Sequence, residues 1–268
     1  MDIKLISLDM DGTLMDSSGN IPDTNVKALR ECARRGIYVM LNSGRSYEVL
    51  TGYEKILGVP CVISSANGAR IDMGGGTVFE NFMDRVPSRG LFDFLLASGV
   101  YFCAYTRSTT FMYNLDDRDR NNIRRHEPGF QEYPGGVYET RIGGNAAPDG
   151  VYKYVCFSIE YDPRFAALRR YGNEHGFFVS SSWCSNVEFM PQGSDKGSAI
   201  RRVCRLTGIE KENVMAFGDS ENDIEMFAAS GYPVAMAGSP QAGKTAYMAP
   251  GHEIGGVGLF LNDFVLKD

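Results

Sequence analysis

The stretch LISLDMDGTLMDSSG, residues 5–19, decides the reading. A short apolar run, read as a buried strand over Ile3–Leu8, stops at two aspartates that flank Met10. Gly12 follows Asp11 and permits a sharp change of backbone direction. A strand of a parallel sheet that ends in charge has placed that charge where such sheets gather their chemistry, beyond the carboxyl ends of the strands. Four specified residues in D-x-D-G-T arise by chance about once in 10⁵ positions. The ordinary alternative is a turn with a side-chain hydrogen bond and a helix cap.

Three further clusters follow in order. Asn42-Ser43-Gly44-Arg45 comes directly after a strand read over Ile37–Leu41. Gly193-Ser194-Asp195-Lys196-Gly197 opens a helix read over Lys196–Thr207. Gly218-Asp219-Ser220-Glu221-Asn222-Asp223 comes directly after a strand read over Val214–Phe217. Each alone has a plain structural reading: a serine helix cap, a solvated lysine, an acidic helix start. Together they supply clustered carboxylates with no His or Cys, which suits a hard cation such as Mg²⁺. A carboxylate among them can act as a nucleophile toward phosphorus, and a second can serve as general acid and then general base. Ser43 and Lys196 offer a hydroxyl and a positive charge to phosphoryl oxygens.

The alternation of strands and helices predicts an α/β fold with a Rossmann-like, doubly wound parallel sheet. Further elements are read as helices over Asp23–Arg35 and Ser46–Leu57, a strand over Cys61–Ile63, a glycine turn at Gly74–Gly76, a helix over Glu221–Ala229 and a strand over Pro233–Met236. The middle of the chain breaks the alternation. There the reading is helix over Arg89–Ser98, strands over Val100–Tyr105 and Thr110–Tyr113, helix over Asp117–His126 and loop over Gly135–Gly150. Strand over Tyr152–Ile159, helix over Pro163–Glu174 and strand over Phe177–Ser181 complete it. The expected domains are therefore a core of residues 1–81 and 187–268 and an inserted α/β or α+β domain over 82–186.

DMDGTL, SGR, the DKG around Lys196 and GDSEND resemble the four motifs of the haloacid dehalogenase superfamily. VEFMPQGSDKG and SSANGARI are similar to its Cof-like branch, in which a large α/β cap lies between the second and third motifs. The resemblance implies a Mg²⁺-dependent phosphatase of small phosphorylated metabolites, often sugar phosphates, with its site between core and cap. It makes Asp9 the nucleophile and a metal ligand, Asp11 the acid/base and a ligand through its backbone carbonyl, and Asp219 a direct ligand. Ser43, Gly44, Lys196 and Asn222 would hold the phosphate, and Asp223 would complete the outer shell. The presence of Asp11 favours phosphate-ester chemistry over dehalogenation. A phosphomutase using the same aspartate, a phospho-accepting receiver and a non-catalytic metabolite-binding protein are the rival readings. The chain departs from the branch at Ala237-Gly238 and over His252–Gly255, which bears on substrate and metal-shell detail.

Composition bounds the rest. The chain has 268 residues, 43% of them hydrophobic, and a formal net charge of −6, which argues against nucleic acid and anionic membranes as partners. The expected partner is a small phosphorylated metabolite; oligomeric state is left open. No apolar run reaches the length of a membrane span and no secretory leader is read, so a cytoplasmic location is expected. Cys32, Cys61, Cys103, Cys156, Cys184 and Cys204 are scattered and read as reduced packing residues. His126, His175 and His252 do not cluster, and Trp183 reads as core. Arg118, Arg120, Arg124 and Arg125 form a basic run, read as a solvated helix face in preference to an anion subsite.

Overall fold

The structure, a computed structural model, describes residues 2–107, 109–115, 140–158, 160, 162–182 and 185–267. The helix expected over Asp117–His126, its arginines, Trp183 and Cys184 lie outside the described residues. The chain divides into two compact units, Met1–Phe79 with Asp195–Asp268, and Glu80–Ser194.

The first unit is built on an eight-stranded sheet. Its strands are β1 (Leu5–Leu8), β2 (Tyr38–Asn42), β3 (Cys61–Ser65), β4 (Arg70–Met73), β5 (Gly76–Glu80), β12 (Val214–Gly218), β13 (Tyr232–Met236) and β14 (Tyr247–Ala249). They run in the order β14-β13-β12-β1-β2-β3-β4-β5. Pairing is parallel from β14 to β3 and antiparallel between β3 and β4. Gly74 and Gly75, with φ of 63° and 84°, make the turn into β5 that only glycine adopts readily. Register does the important work here. Leu8 lies beside Leu41 on one side and Phe217 on the other, so β1, β2 and β12 finish level. The residues that follow each strand therefore emerge at one edge.

Helices α1 (Asp23–Arg34) and α2 (Tyr47–Leu57) follow β1 and β2. Further on come α5 (Lys196–Thr207), α6 (Ile224–Ala228) and α7 (Gly256–Phe264). Leu5, Met40, Val62, Val214 and Ala216 pack against Ala199, Ile200 and Val203 of α5 and Met226 of α6. The start of α5 is fixed by a reciprocal cap: Asp195 accepts from the Ser198 N–H while Ser198 Oγ accepts from the Asp195 N–H. Gly208, at φ 73°, ends it.

The second unit carries a six-stranded sheet in the order β10-β11-β9-β6-β7-β8. These strands are β6 (Phe102–Thr106), β7 (Thr110–Tyr113), β8 (Thr140–Ile142), β9 (Val151–Phe157), β10 (Phe178–Ser180) and β11 (Asn186–Met190). Its helices are α3 (Arg85–Ser98) and α4 (Arg164–Glu174). Leu91, Phe92 and Leu95 of α3 and Phe165 and Leu168 of α4 share a core with Phe102, Tyr154, Val187 and Phe189 of the sheet.

The structure differs from the sequence reading in several places. The unit boundary falls after Ser194, not before residue 187, because β11 pairs with β9 and β10 and so belongs to the second sheet. Residues 140–142, expected as loop, form β8, which is held in parallel pairing on β7. The helix expected from Glu221 starts as a 3₁₀ turn over Glu221–Asp223. Helix α3 begins at Arg85, earlier than expected, since Pro87 is tolerated in a first turn whose N–H groups need no helical partner. No helix among the described residues is long and apolar enough to cross a membrane.

Candidate active site

Beyond Leu8 the chain leaves the sheet in a tight five-residue turn, Met10–Leu14, closed by the Met15 N–H donating to the Met10 carbonyl at 3.0 Å. Gly12 supplies its left-handed step at φ 72°. A side chain there would meet Asp219 Oδ2 at 2.6 Å, so glycine is demanded by space as well as by conformation. The turn separates the two aspartates. Asp9 stays extended and buried at 5% exposure, its N–H donating to the Phe217 carbonyl at 3.0 Å. The Asp11 side chain is 62% exposed and paired with Arg45.

Lys196, fully buried at the first turn of α5, joins the strand ends. Its Nζ donates to Asp9 Oδ1 at 2.5 Å, Asp223 Oδ1 at 2.6 Å and Asn222 Oδ1 at 3.2 Å. Asp223 Oδ2 accepts from the backbone N–H groups of Asp219 at 2.8 Å and Ser220 at 3.0 Å, which folds the loop after β12 around it. Ser220 Oγ donates to Asn222 Oδ1 at 2.8 Å. Asp219 Oδ1 is buried without a hydrogen-bond partner.

The electrostatics follow from this crowding. Burial pushes the Asp9 carboxyl well above its usual range; Lys196 opposes that, while Asp223, Asp219 and Asp11 add to it. Asp219 is pushed up to about 7, first by burial and then by the charge of Asp223. Burial alone would lower the Lys196 ammonium, but Asp223 and Asp9 outweigh it and hold Lys196 above the ordinary lysine range. Carboxylate oxygens of Asp9, Asp219 and Asp223 lie within 4.8 Å of one another. These are hard donors, and a divalent cation fits the excess of negative charge. Both oxygens of Asp223 are already engaged by Lys196 and the backbone. That leaves Asp9 and the unpartnered oxygen of Asp219 as the groups best placed to hold an ion.

A family model described as haloacid dehalogenase-like hydrolase matches residues 6–248, which takes in all four clusters. The chain belongs to that family. Among curated relatives, the 5-amino-6-(5-phospho-D-ribitylamino)uracil phosphatase YwtE of Bacillus subtilis is 25% identical over 98% of both chains. The phosphoglycolate phosphatase of Metallosphaera sedula is 29% identical over 88% of this chain and 86% of that one. A solved haloacid dehalogenase-like hydrolase from B. subtilis superposes with a TM-score of 0.85 at 24% identity, covering 98% of this chain and all of that one. The Cof-like branch suggested by the motifs agrees with these matches, and the chain is a hydrolase of the phosphatase type.

In this haloacid dehalogenase-like chain the expected residues fall into two groups. Asp9, Lys196, Asp219, Asn222 and Asp223 converge on one cluster. Ser43 and Gly44 follow the end of β2, one and two residues beyond Asn42, which itself comes directly after the Leu41 paired with Leu8; Ser43 is buried and Gly44 half-buried. The Ser43 N–H is spent on the Ser64 carbonyl at 2.9 Å, and the residue at the start of α2 is Ser46, whose side chain makes no cap bond, so Ser43 does not sit at the helix N-terminus. Asn42 carries a structural duty that sequence reading left unassigned. Its Nδ2 donates to the Lys196 carbonyl at 2.9 Å, and its Oδ1 accepts from Ser64 Oγ at 2.8 Å, so β2, β3 and α5 are tied together beneath the site. The available signal was an amide ending an otherwise apolar strand. At the departure over His252–Gly255, Glu253 accepts from the Ser17 N–H at 3.1 Å, which anchors the segment after the first motif.

Proposed function

We propose that the chain is a Mg²⁺-dependent phosphatase that hydrolyses monoesters of small phosphorylated metabolites through a phosphoryl group carried on Asp9. The observation that carries this reading is the buried Asp9 carboxylate at the end of β1, bonded to Lys196 and crowded by Asp219 with its unpartnered oxygen. An Asp9 oxygen attacks phosphorus while the bond to the leaving oxygen breaks, and Asp11 gives its proton to that oxygen. Asp11 then takes a proton from water as the water attacks the phosphorylated Asp9, releasing inorganic phosphate and restoring the Asp9 carboxylate and the protonated Asp11 carboxyl. Lys196 holds the nucleophile and balances the phosphoryl charge, with Asp223 and Asn222 fixing the ammonium. Ser43 and Gly44 complete the phosphate seat. Asp9, Asp219 and the Asp11 backbone carbonyl would hold Mg²⁺, and the ion would supply positive charge against the repulsion between the attacking carboxylate and the anionic ester.

Relatives named for a phosphoribityl compound and for phosphoglycolate support small, polar, phosphorylated substrates. The test is trapping. Acid quenching during turnover of a ³²P-labelled sugar phosphate should leave label on the peptide containing Asp9, and hydroxylamine should remove it. Rapid turnover with no protein-bound label contradicts the reading.

A further inference from the structure

Asp11 is gripped by Arg45. Arg45 Nε donates to Asp11 Oδ2 at 2.8 Å and Arg45 Nη2 to Asp11 Oδ1 at 2.5 Å, a two-point grip that makes guanidinium and carboxylate coplanar. An ion pair this exposed contributes little to stability. Its interest lies in how Arg45 is itself held. The Arg45 N–H donates to Ser43 Oγ at 3.2 Å, and the Arg45 carbonyl accepts from the Ala66 N–H at 2.9 Å. The Ser43 carbonyl accepts from the Asn67 N–H at 2.9 Å.

The two donors belong to a strained turn. Ala66 and Asn67 have φ of 48° and 56°, and Gly68 follows at 86°. L-residues enter the left-handed region reluctantly, and consecutive ones persist only where the surroundings force them. Both Ala66 and Asn67 are buried, and a Cβ on Gly68 would meet the Asp195 carbonyl at 2.7 Å. The turn is therefore wedged between the loop of Ser43–Arg45 and the residue that caps the helix of Lys196.

We infer that Arg45, locked by the left-handed turn Ala66–Gly68, is a positioning residue that aims the Asp11 carboxyl at the leaving-group oxygen. This rests on the phosphatase reading. A carboxyl oxygen carries two lone pairs, and the planar grip fixes the directions in which they, and a proton carried on one of them, point. Proton transfer to the departing oxygen depends steeply on that direction, since misplacement by about 1 Å costs on the order of 10²-fold. The dependence is selective. An alkoxide leaving group needs the proton as the P–O bond breaks, and a nitrophenolate does not.

The experiment compares kcat/KM, which covers the steps up to loss of the leaving group, for a phosphorylated sugar alcohol and for 4-nitrophenyl phosphate. Arg45→Gln should lose about 10- to 100-fold on the alkyl ester and less than about 3-fold on the aryl ester. Arg45→Lys, whose ammonium cannot reproduce the two-point grip, should fall between. Asn67→Val, which disfavours the left-handed turn, should shift the alkyl-to-aryl ratio in the same direction as Arg45→Gln. In an Asp11→Asn background, Arg45→Gln should cost less than about 2-fold more. Equal losses on both esters, or a full additional loss in the double variant, would overturn the inference while leaving the phosphatase reading intact. A wild-type protein that releases phosphate from neither ester overturns both.

Discussion

Among the described residues two lysines are buried against carboxylates, and they are not alike. In the second unit Lys153 meets Glu188 at 2.8 Å, both almost fully buried, with the Tyr105 ring 5.0 Å from the ammonium and Ser182 Oγ donating to the same glutamate oxygen at 3.1 Å. There one cation meets one anion, and a serine hydroxyl adds a second bond to the same carboxylate oxygen. In the first unit Lys196 faces Asp9 and Asp223 directly, with Asp219 alongside and one of its oxygens unpartnered. A balanced pair explains itself as packing. An unbalanced one stores repulsion that a bound cation would relieve, so imbalance more than burial distinguishes the proposed site.

The comparison breaks most sharply by removing the cations. Lys196→Met should strip the charge balance from Asp9 and Asp223, cost about 3–5 kcal/mol of stability and abolish phosphate release; chemical unfolding and a phosphate assay read both. The matched replacement Lys153→Met with Glu188→Leu should leave stability unchanged or raised by about 1–4 kcal/mol, since it removes two desolvated charges together. A double variant that unfolds would show that the second pair does more than pack.

Metal binding gives a smaller effect. Saturating Mg²⁺, at about 100 times its Kd, should stabilise the wild type by about 2.7 kcal/mol. Asp219→Asn should lose that shift, and the Lys153/Glu188 double variant should keep it. Differential scanning fluorimetry with and without EDTA measures both.

The smallest effect is in pH. Because Asp219 is pushed up to about 7, it binds its proton more tightly folded than unfolded. Its contribution to stability is complete below the usual carboxylate range and is lost as pH rises through about 7. The EDTA-treated wild type should therefore melt at a lower temperature at pH 8 than at pH 5.5, and Asp219→Asn should flatten the difference.

Much of this arrangement was legible in the residues. Asp9, Ser43 and Asp219 each follow directly on an apolar strand, and parallel strands that end level bring such residues together whatever separates them in sequence. Helix α5 was legible to the residue, since Asp195 and Ser198 cap one end and Gly208 closes the other. Helix α7 was not. Its Gly256 and Gly258 argue against helix by propensity, yet a Cβ on Gly258 would sit 2.3 Å from the Thr24 carbonyl, so close packing on α1 overrides propensity. Strands β8 and β14 span Thr140–Ile142 and Tyr247–Ala249 and exist through their neighbours more than through their own sequence. The Asp11–Arg45 pair was invisible because it joins two loops 34 residues apart whose geometry no local pattern encodes.

The most direct test of the central claim is phosphate release from a phosphorylated sugar alcohol by wild type and Asp9→Asn, each stripped with EDTA and then returned to Mg²⁺. Wild-type release should stop on stripping and return with the ion, while a folded Asp9→Asn should be slower than the Mg²⁺-loaded wild type by at least about 10⁴-fold in both states. Release that persists without a divalent ion, or that survives the loss of Asp9, would contradict it.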